Sequence, residues 1–249
     1  MENYKGRHIG CAPGTHEAIV NLILKHSAPV DGVLDIGANA GALLTRLQDS
    51  GFQDLTGLDL DVTRFNVPEA DFFQADANGP FPDKVQRDFS LITATDVIEH
   101  LDNPRAFIEK VLSILRPDGF MALSFPNVAF WEGRLKFMFK GELWGFGKKN
   151  YKLQRHISPM TFEQTELMLR ELGFDVLELT SAGSFATPLR KAVSFPARIF
   201  FQALGGDRAT GESVVLVAQR ADAETDLKAP EHYRQRWAAS NVPLSVSNE

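Results

Sequence analysis

The sequence predicts an α/β fold built on a doubly wound, largely parallel sheet of about seven strands. Three observations carry this. Val33-Leu34-Asp35-Ile36-Gly37-Ala38-Asn39-Ala40-Gly41 is an apolar run that passes through a carboxylate and small residues into an amphipathic stretch at Leu43, Leu44 and Leu47. That order is strand, tight turn, helix. Short apolar segments then alternate with segments of helical period, the pattern of a sheet covered on both faces. Finally, 249 residues at 44% apolar content suffice for one large domain, or a core domain with insertions and tails.

Thr15 to Lys25 places Ala18, Ile19, Leu22 and Ile23 at helical spacing, so residues 1–30 read as a helical cap. Strand one spans Val33 to Ile36, and a helix from Ala40 to Gln48 stops at Gly51. Strand two, Leu55 to Leu60, carries Asp59 near its end. Asp61 to Ala70 contains Pro68 and holds at most a turn or two of helix. A brief third strand, Phe72 to Gln74, precedes Asp76; Pro80 to Asp83 form a loop; Phe89 to Ala94 is a buried fourth strand. Pro104 opens a helix with Phe107, Ile108, Val111, Leu112 and Leu115 on one face. Arg116-Pro117-Asp118-Gly119 turns into strand five, Phe120 to Phe125. Thr161 caps a helix that runs to Leu172 and stops at Gly173. Phe174 to Leu179 and Val214 to Ala218 are the last two strands. Residues 31–220 thus form one domain, with insertions at 126–157 and 184–212. From Ala221 to Glu249 the chain turns polar and aperiodic, a loosely ordered tail whose Tyr233 and Trp237 could dock on the body.

Composition removes several function classes. No run approaches the ~18 consecutive apolar residues of a membrane span, and Met1 to Gly14 lacks the apolar region of a signal peptide. Cys11 is the only cysteine, which leaves no internal disulfide or cysteine-based zinc site, and the expected compartment is a reducing cytoplasm. The net charge of −6 argues against binding nucleic acid over the whole surface. It is unevenly spread. Between Arg134 and Arg155 lie seven bases (Arg134, Lys136, Lys140, Lys148, Lys149, Lys152, Arg155) and one acid, Glu142: +6 there, −12 elsewhere.

The chemistry begins at the first turn. Asp35 lies before it, where it would repel a pyrophosphate but suit a cation. The order Asp-x-Gly-x-Asn-x-Gly is also not the Gly-x-Gly-x-x-Gly of dinucleotide sites. Gly37 and Gly41 let a ligand approach the backbone, and Asn39 is among the few other types that tolerate the left-handed region. The pattern points to S-adenosylmethionine, with its sulfonium and ammonium groups, rather than NAD. Four more segments follow in order: Gly57-Leu58-Asp59-Leu60, Gln74-Ala75-Asp76-Ala77, the stretch from Phe89 through Thr95-Asp96 to Glu99-His100-Leu101, and Leu115-Arg116-Pro117-Asp118-Gly119-Phe120. Together the five resemble the class I S-adenosylmethionine-dependent methyltransferases, over roughly Gly32 to Arg220. Within these, the chain looks most like the small-molecule group that includes the ubiquinone-biosynthesis O-methyltransferases. Two features depart from that pattern: Asn39 stands at the family's middle glycine, and the segment after strand two is short.

The resemblance implies a Rossmann-like sheet with an antiparallel C-terminal strand, and binding of S-adenosylmethionine at the carboxyl ends of the strands. Gly37, Ala38, Asn39 and Gly41 would present backbone to the methionine part, and Asp35 would attract its ammonium. Asp59, 18 residues after Gly41, is close to the ~20 expected of an acid on the ribose hydroxyls. Leu60 would pack beside the adenine, Asp76 accept from its amine and Ala77 offer a backbone N–H. Thr95 would face the methionine end. Each has a plainer reading as a cap or packing residue.

A hydroxyl acceptor needs its proton removed, and His156, in Arg155-His156-Ile157-Ser158-Pro159, is the candidate base. Related methylases also carry a histidine there; a structural histidine bonded to a loop carbonyl is the alternative. Asp96, Glu99 and His100 share one face if they open a helix, and similar runs bind a divalent ion with help from a later histidine. The run also occurs in methylases that use no metal, so none is assigned. The aromatic and basic segment Phe130 to Tyr151 reads as a lid that attracts an anionic small-molecule acceptor or an anionic membrane surface, or as aromatics beneath a solvated basic rim. The apolar stretch Pro188 to Leu204 would wall the acceptor pocket, meet a partner, touch lipid or pack into the core. The expected function is therefore methylation of a small molecule, on oxygen. The rivals are a nucleic-acid or protein N-methyltransferase, a non-catalytic S-adenosylmethionine-binding module and a nicotinamide oxidoreductase. The first lacks the Asn/Asp-Pro-Pro-aromatic run after strand four and the last lacks its glycine fingerprint.

Overall fold

A computed structural model describes residues 2–221, apart from the side chains of Pro188 and Lys191. The expected tail from 222 onward, with Tyr233 and Trp237, lies outside the described residues. The chain opens on a hairpin, β1 (Asn3–Tyr4) and β2 (Arg7–His8), turned through Lys5 and Gly6 at positive φ. Then come α1 (Thr15–His26), β3 (Asp31–Ile36), α2 (Ala42–Asp49), β4 (Gln53–Asp59), β5 (Asp71–Gln74), the short α3 (Pro82–Val85), β6 (Phe89–Thr95) and α4 (Pro104–Ser113). β7 (Leu115–Pro126) leads to α5 (Trp131–Lys140), α6 (Lys148–Gln154), α7 (Phe162–Glu171), β8 (Phe174–Ala182), α8 (Pro188–Val193), α9 (Phe195–Gly205) and β9 (Ser213–Arg220).

The seven-stranded sheet has the order β5-β4-β3-β6-β7-β9-β8. β5 to β7 pair parallel across β4, β3 and β6, and β9 runs antiparallel between β7 and β8. Side chains alternate across the strands, which divides the core in two. Val33, Leu91, Ala122 and Val215 pack with Ile19 and Ile23 of α1 and Leu43, Leu44 and Leu47 of α2. Leu34, Ile36, Ile92, Leu123 and Phe125 pack with Phe107, Ile108 and Val111 of α4 and Phe162 and Leu169 of α7. The helices start where their caps allow. Asn103 Oδ1 accepts from Ala106 N ahead of Pro104, and Thr161 Oγ1 accepts from Gln164 N.

Several boundaries move for physical reasons. The first crossover helix begins at Ala42, not Ala40, because Gly41 sits at φ 79°, in the left-handed region. Leu115 is the first residue of β7 rather than the last of α4. The turn expected at Arg116 to Gly119 is a bulge inside that strand. Phe89 pairs with Leu115 and Leu91 with Phe120, and Asp118 takes φ 59°. Part of the loop expected at Pro80 to Asp83 winds into α3 behind Pro82. Asp96, Glu99 and His100 do not share a helical face. Asp96 turns the chain at φ 52°, a 3-10 turn covers Ile98–His100, and α4 waits until Pro104. α9 has no buried residue, so core packing does not account for that apolar insertion.

The topology positions the site. The chain leaves β3 toward β4 on one side, while β6 lies on the other, so the connections diverge and open a crevice at the carboxyl ends of β3 and β6. Phe107 fills the layer behind it and is 1% exposed. Phe107→Ala should cost about 3–5 kcal/mol, read as a lower urea midpoint at unchanged slope; a loss under about 1 kcal/mol would mean that this layer repacks.

Candidate active site

Gly37 to Gly41 leaves β3 as a loop whose N–H groups need acceptors, and β4 provides them. Gly37 N and Ala38 N donate to the Leu58 carbonyl at 2.7 and 3.1 Å. Asn39 N donates to Asp59 Oδ2 at 2.8 Å, and Asp61 N to Asp59 Oδ1 at 3.0 Å. Asn39 sits at φ 47°, the conformation that its residue type was expected to tolerate. Gly37 has φ 77° and lies against Val97, where a Cβ would overlap the valine methyl. The carboxylate at the end of β4 therefore shapes this loop, and each of its oxygens keeps a second lone pair.

Below the loop, Asp35 is buried and accepts from Thr93 Oγ1 at 2.7 Å, its neighbour in register on β6. Burial pushes the Asp35 carboxyl up to about 7, opposed by the Thr93 hydroxyl. Asp96, at the mouth of β6, receives the Ser124 hydroxyl at 2.6 Å, and burial raises its pKa too. Thr95 Oγ1 and Asn39 Oδ1 are buried without a partner. Asp35, Asn39, Thr95 and Asp96 line one cleft of 1140 Å³ with Gly37, Ala38, Asp59, Leu60, Asp76 and Ala77. Leu60 and Asp76 are exposed on its flank, and Asp76 Oδ1 holds Asn78 N at 2.8 Å. Gly41 caps α2 beside the cleft without lining it. Sequence-predicted residues from four strand ends thus meet in one place.

The cleft's other wall holds Glu99, His100 and His156, one ligand atom of each lying within 4.8 Å of the others. Both Glu99 carboxyl oxygens are buried and unpartnered, and burial pushes the acid well up. Its backbone carbonyl accepts from Ile157 N and Ser158 N, so the turn and the loop bearing His156 are stitched together. His156 is buried, with Nδ1 2.8 Å from the Gly145 carbonyl. A carbonyl only accepts, so Nδ1 carries the proton and Nε2 keeps a lone pair. Burial first, then His100, hold its pKa below the ordinary value. The insertion supplies Lys136, Trp144, Asn150, Gln154 and Arg155 to the rim.

Sequence reasoning read residues 1–30 as a helical cap but named none of its residues at the site. Gly10, Cys11 and His16 line the cleft, and burial with the nearby Arg46 brings His16 down to about 4. His16 lies within a helical pattern and Cys11 in a segment of no period, so neither carried a signal. Glu212, also on the wall, accepts from Phe185 N at 2.8 Å and anchors the second insertion.

A family profile described as a methyltransferase domain matches residues 12–179. No curated protein matches the chain. Among solved structures, an S-adenosylmethionine-dependent methyltransferase from Archaeoglobus fulgidus superposes with a TM-score of 0.56 at 16% identity, over 82% of this chain and 92% of that one. One from Mesorhizobium loti gives 0.51 at 16% identity, over 81% and 96%. The plantazolicin methyltransferase BpumL, bound to a monoazolic desmethylPZN analog and SAH, gives 0.52 at 16% identity, over 83% and 82%. These likenesses concern the fold.

Asp35 also makes the site testable without a ligand. Its folded pKa lies above the ordinary 3.8, so the unfolded chain ionises first and stability falls as pH rises from about 4 to about 7. Asp35→Asn keeps an acceptor for Thr93 and should melt progressively higher than the parent across that window, with little difference below it. Parallel melting curves would contradict the assignment.

Proposed function

The chain belongs to the methyltransferase-domain family, whose members use S-adenosylmethionine; from that premise we propose that it methylates a small-molecule acceptor on oxygen, with His156 as the base. The observation that carries the proposal is the His156–Gly145 hydrogen bond. It leaves Nε2 as the acceptor on a ring that lines the cleft, and a depressed pKa keeps that ring neutral near pH 7. On this reading the donor's ammonium lies near Asp35, which burial otherwise leaves without a counter-charge, and its ribose hydroxyls use the free lone pairs of Asp59. The unpartnered Thr95 hydroxyl supports a place for the methionine end, and Leu60, Asp76 and Ala77 support one for the adenine. A pocket for one small ligand spans roughly 300–1,000 Å³, so 1140 Å³ supports a donor and an acceptor together. Lys136 pairs with Glu142 and Arg155 lies 3.9 Å from Asp102 on the rim, so it is the surplus of bases in residues 131–155, seven against two acids, that favours an anionic acceptor. The sulfonium is an activated donor, and alignment of the acceptor supplies much of the rate.

A second reading rests on the proximity of Glu99, His100 and His156 and the orphaned Glu99 oxygens. Here the three hold a divalent ion, and the Gly145 contact orients a ligand rather than a base. One experiment separates the two. Under the first, His156→Ala lowers turnover by about 10²–10⁴ while calorimetric affinity for S-adenosylmethionine persists. Parent activity then survives dialysis against EDTA and falls as pH drops below the His156 pKa, because imidazolium cannot accept a proton. Turnover lost to EDTA and restored by Mg²⁺, Mn²⁺ or Zn²⁺ would favour the second, and an unchanged His156→Ala rate would remove both.

A further inference from the structure

The two insertions carry a face that the cleft does not explain. On α5, Phe137, Met138 and Phe139 are exposed, Phe139 by 77%. On α8 and α9, Leu189, Val193 and Phe200 are exposed, Val193 by 75%. The helices that carry these groups touch one another. Trp131, at the start of α5, stacks on Phe201 of α9 with ring centroids 5.9 Å apart, and Glu132 pairs with Arg190 of α8. The ten-residue α5 is only about 15 Å long, so its far end lies close to the α8–α9 patch.

Charge decides what fits this edge. Residues 131–155 hold seven bases and two acids, and residues 188–205 hold three bases and no acid, a net +8 in a chain of −6. Lys140, Lys148, Lys149 and Lys152 are exposed and make no salt bridge among the described residues. Apolar side chains projecting among unpaired lysines suit the boundary between lipid headgroups and acyl chains. A second copy of the chain seated there would oppose two cationic faces.

We propose that the α5–α6 and α8–α9 edge docks on an anionic lipid surface. Lys136 of α5, Asn150 of α6 and Arg155 just after it line the cleft, so docking brings the cleft's rim to the lipid. An acceptor partitioned in the bilayer then reaches the site without crossing water; that last step rests on the proposed methyl transfer, whereas docking itself does not.

The test is co-sedimentation of the full chain with vesicles of phosphatidylcholine alone or with about one third phosphatidylglycerol. The expected result is binding to the anionic vesicles only, weakened by 0.5 M NaCl and at least tenfold by Lys148→Glu/Lys149→Glu. Phe137→Ser/Phe139→Ser should weaken it comparably, with melting temperatures of both variants near the parent's because these residues are exposed. No binding to anionic vesicles, or binding indifferent to both variants, would overturn docking. So would light scattering that shows a dimer dispersed by Phe137→Ser/Phe139→Ser, which would assign the face to a second copy. Docking with no methylation of any acceptor would leave this inference standing and count against the methyl-transfer reading.

Discussion

The end of β4 holds the site in shape. The Leu58 carbonyl and the Asp59 carboxylate take the N–H groups of Gly37, Ala38 and Asn39, and Gly41 N closes the turn on the Ala38 carbonyl at 2.7 Å. This works because Ile36 pairs with Leu58 in register. A slip of one residue would turn every core side chain of β4 to the wrong face and withdraw Asp59 from the loop. The register is in turn secured by the two cores, which bury Leu55 and Leu58 on opposite faces of the same strand. Packing therefore fixes the loop, and the loop presents its backbone to the cleft.

The cleft and its rim have opposite electrical characters. Asp35, Asp96 and Glu99 line the interior, each raised by burial, and a cation there would recover part of that cost. Lys136 and Arg155 stand on the rim, and Lys140, Lys148, Lys149 and Lys152 of the same insertion are exposed. A cationic donor held deep and an anionic acceptor or surface met at the rim is the arrangement that this division favours.

The strand-loop-helix unit was legible because strict local constraints act on it: glycine where φ is positive, apolar residues on two-sided strands, and a carboxylate at a strand end. Local constraints of the same kind revealed the helix starts at Pro104 and Thr161. The helical face expected of Asp96, Glu99 and His100 was not there, because Asp96 hydrogen-bonds Ser124 across the sheet and turns the chain at φ 52°. Spacing in sequence does not register such a long-range contact. The fold instead brings Glu99 and His100 together with His156, which arrives from 56 residues beyond His100, and leaves Asp96 out of the group. His16 and Cys11 were illegible for the same reason, since only tertiary packing brings the N-terminal segment to the cleft. The short β1–β2 hairpin rests on a Lys-Gly turn too brief to stand out.

The most direct test of the central claim, that the loop braced by Asp59 cradles the methyl donor, is a crystal structure of the chain grown with S-adenosylhomocysteine. The account predicts density in the cleft with the ribose hydroxyls on Asp59 and the amino group toward Asp35. A cleft left vacant at saturating ligand, or a ligand bound away from the Gly37–Gly41 loop, would contradict it.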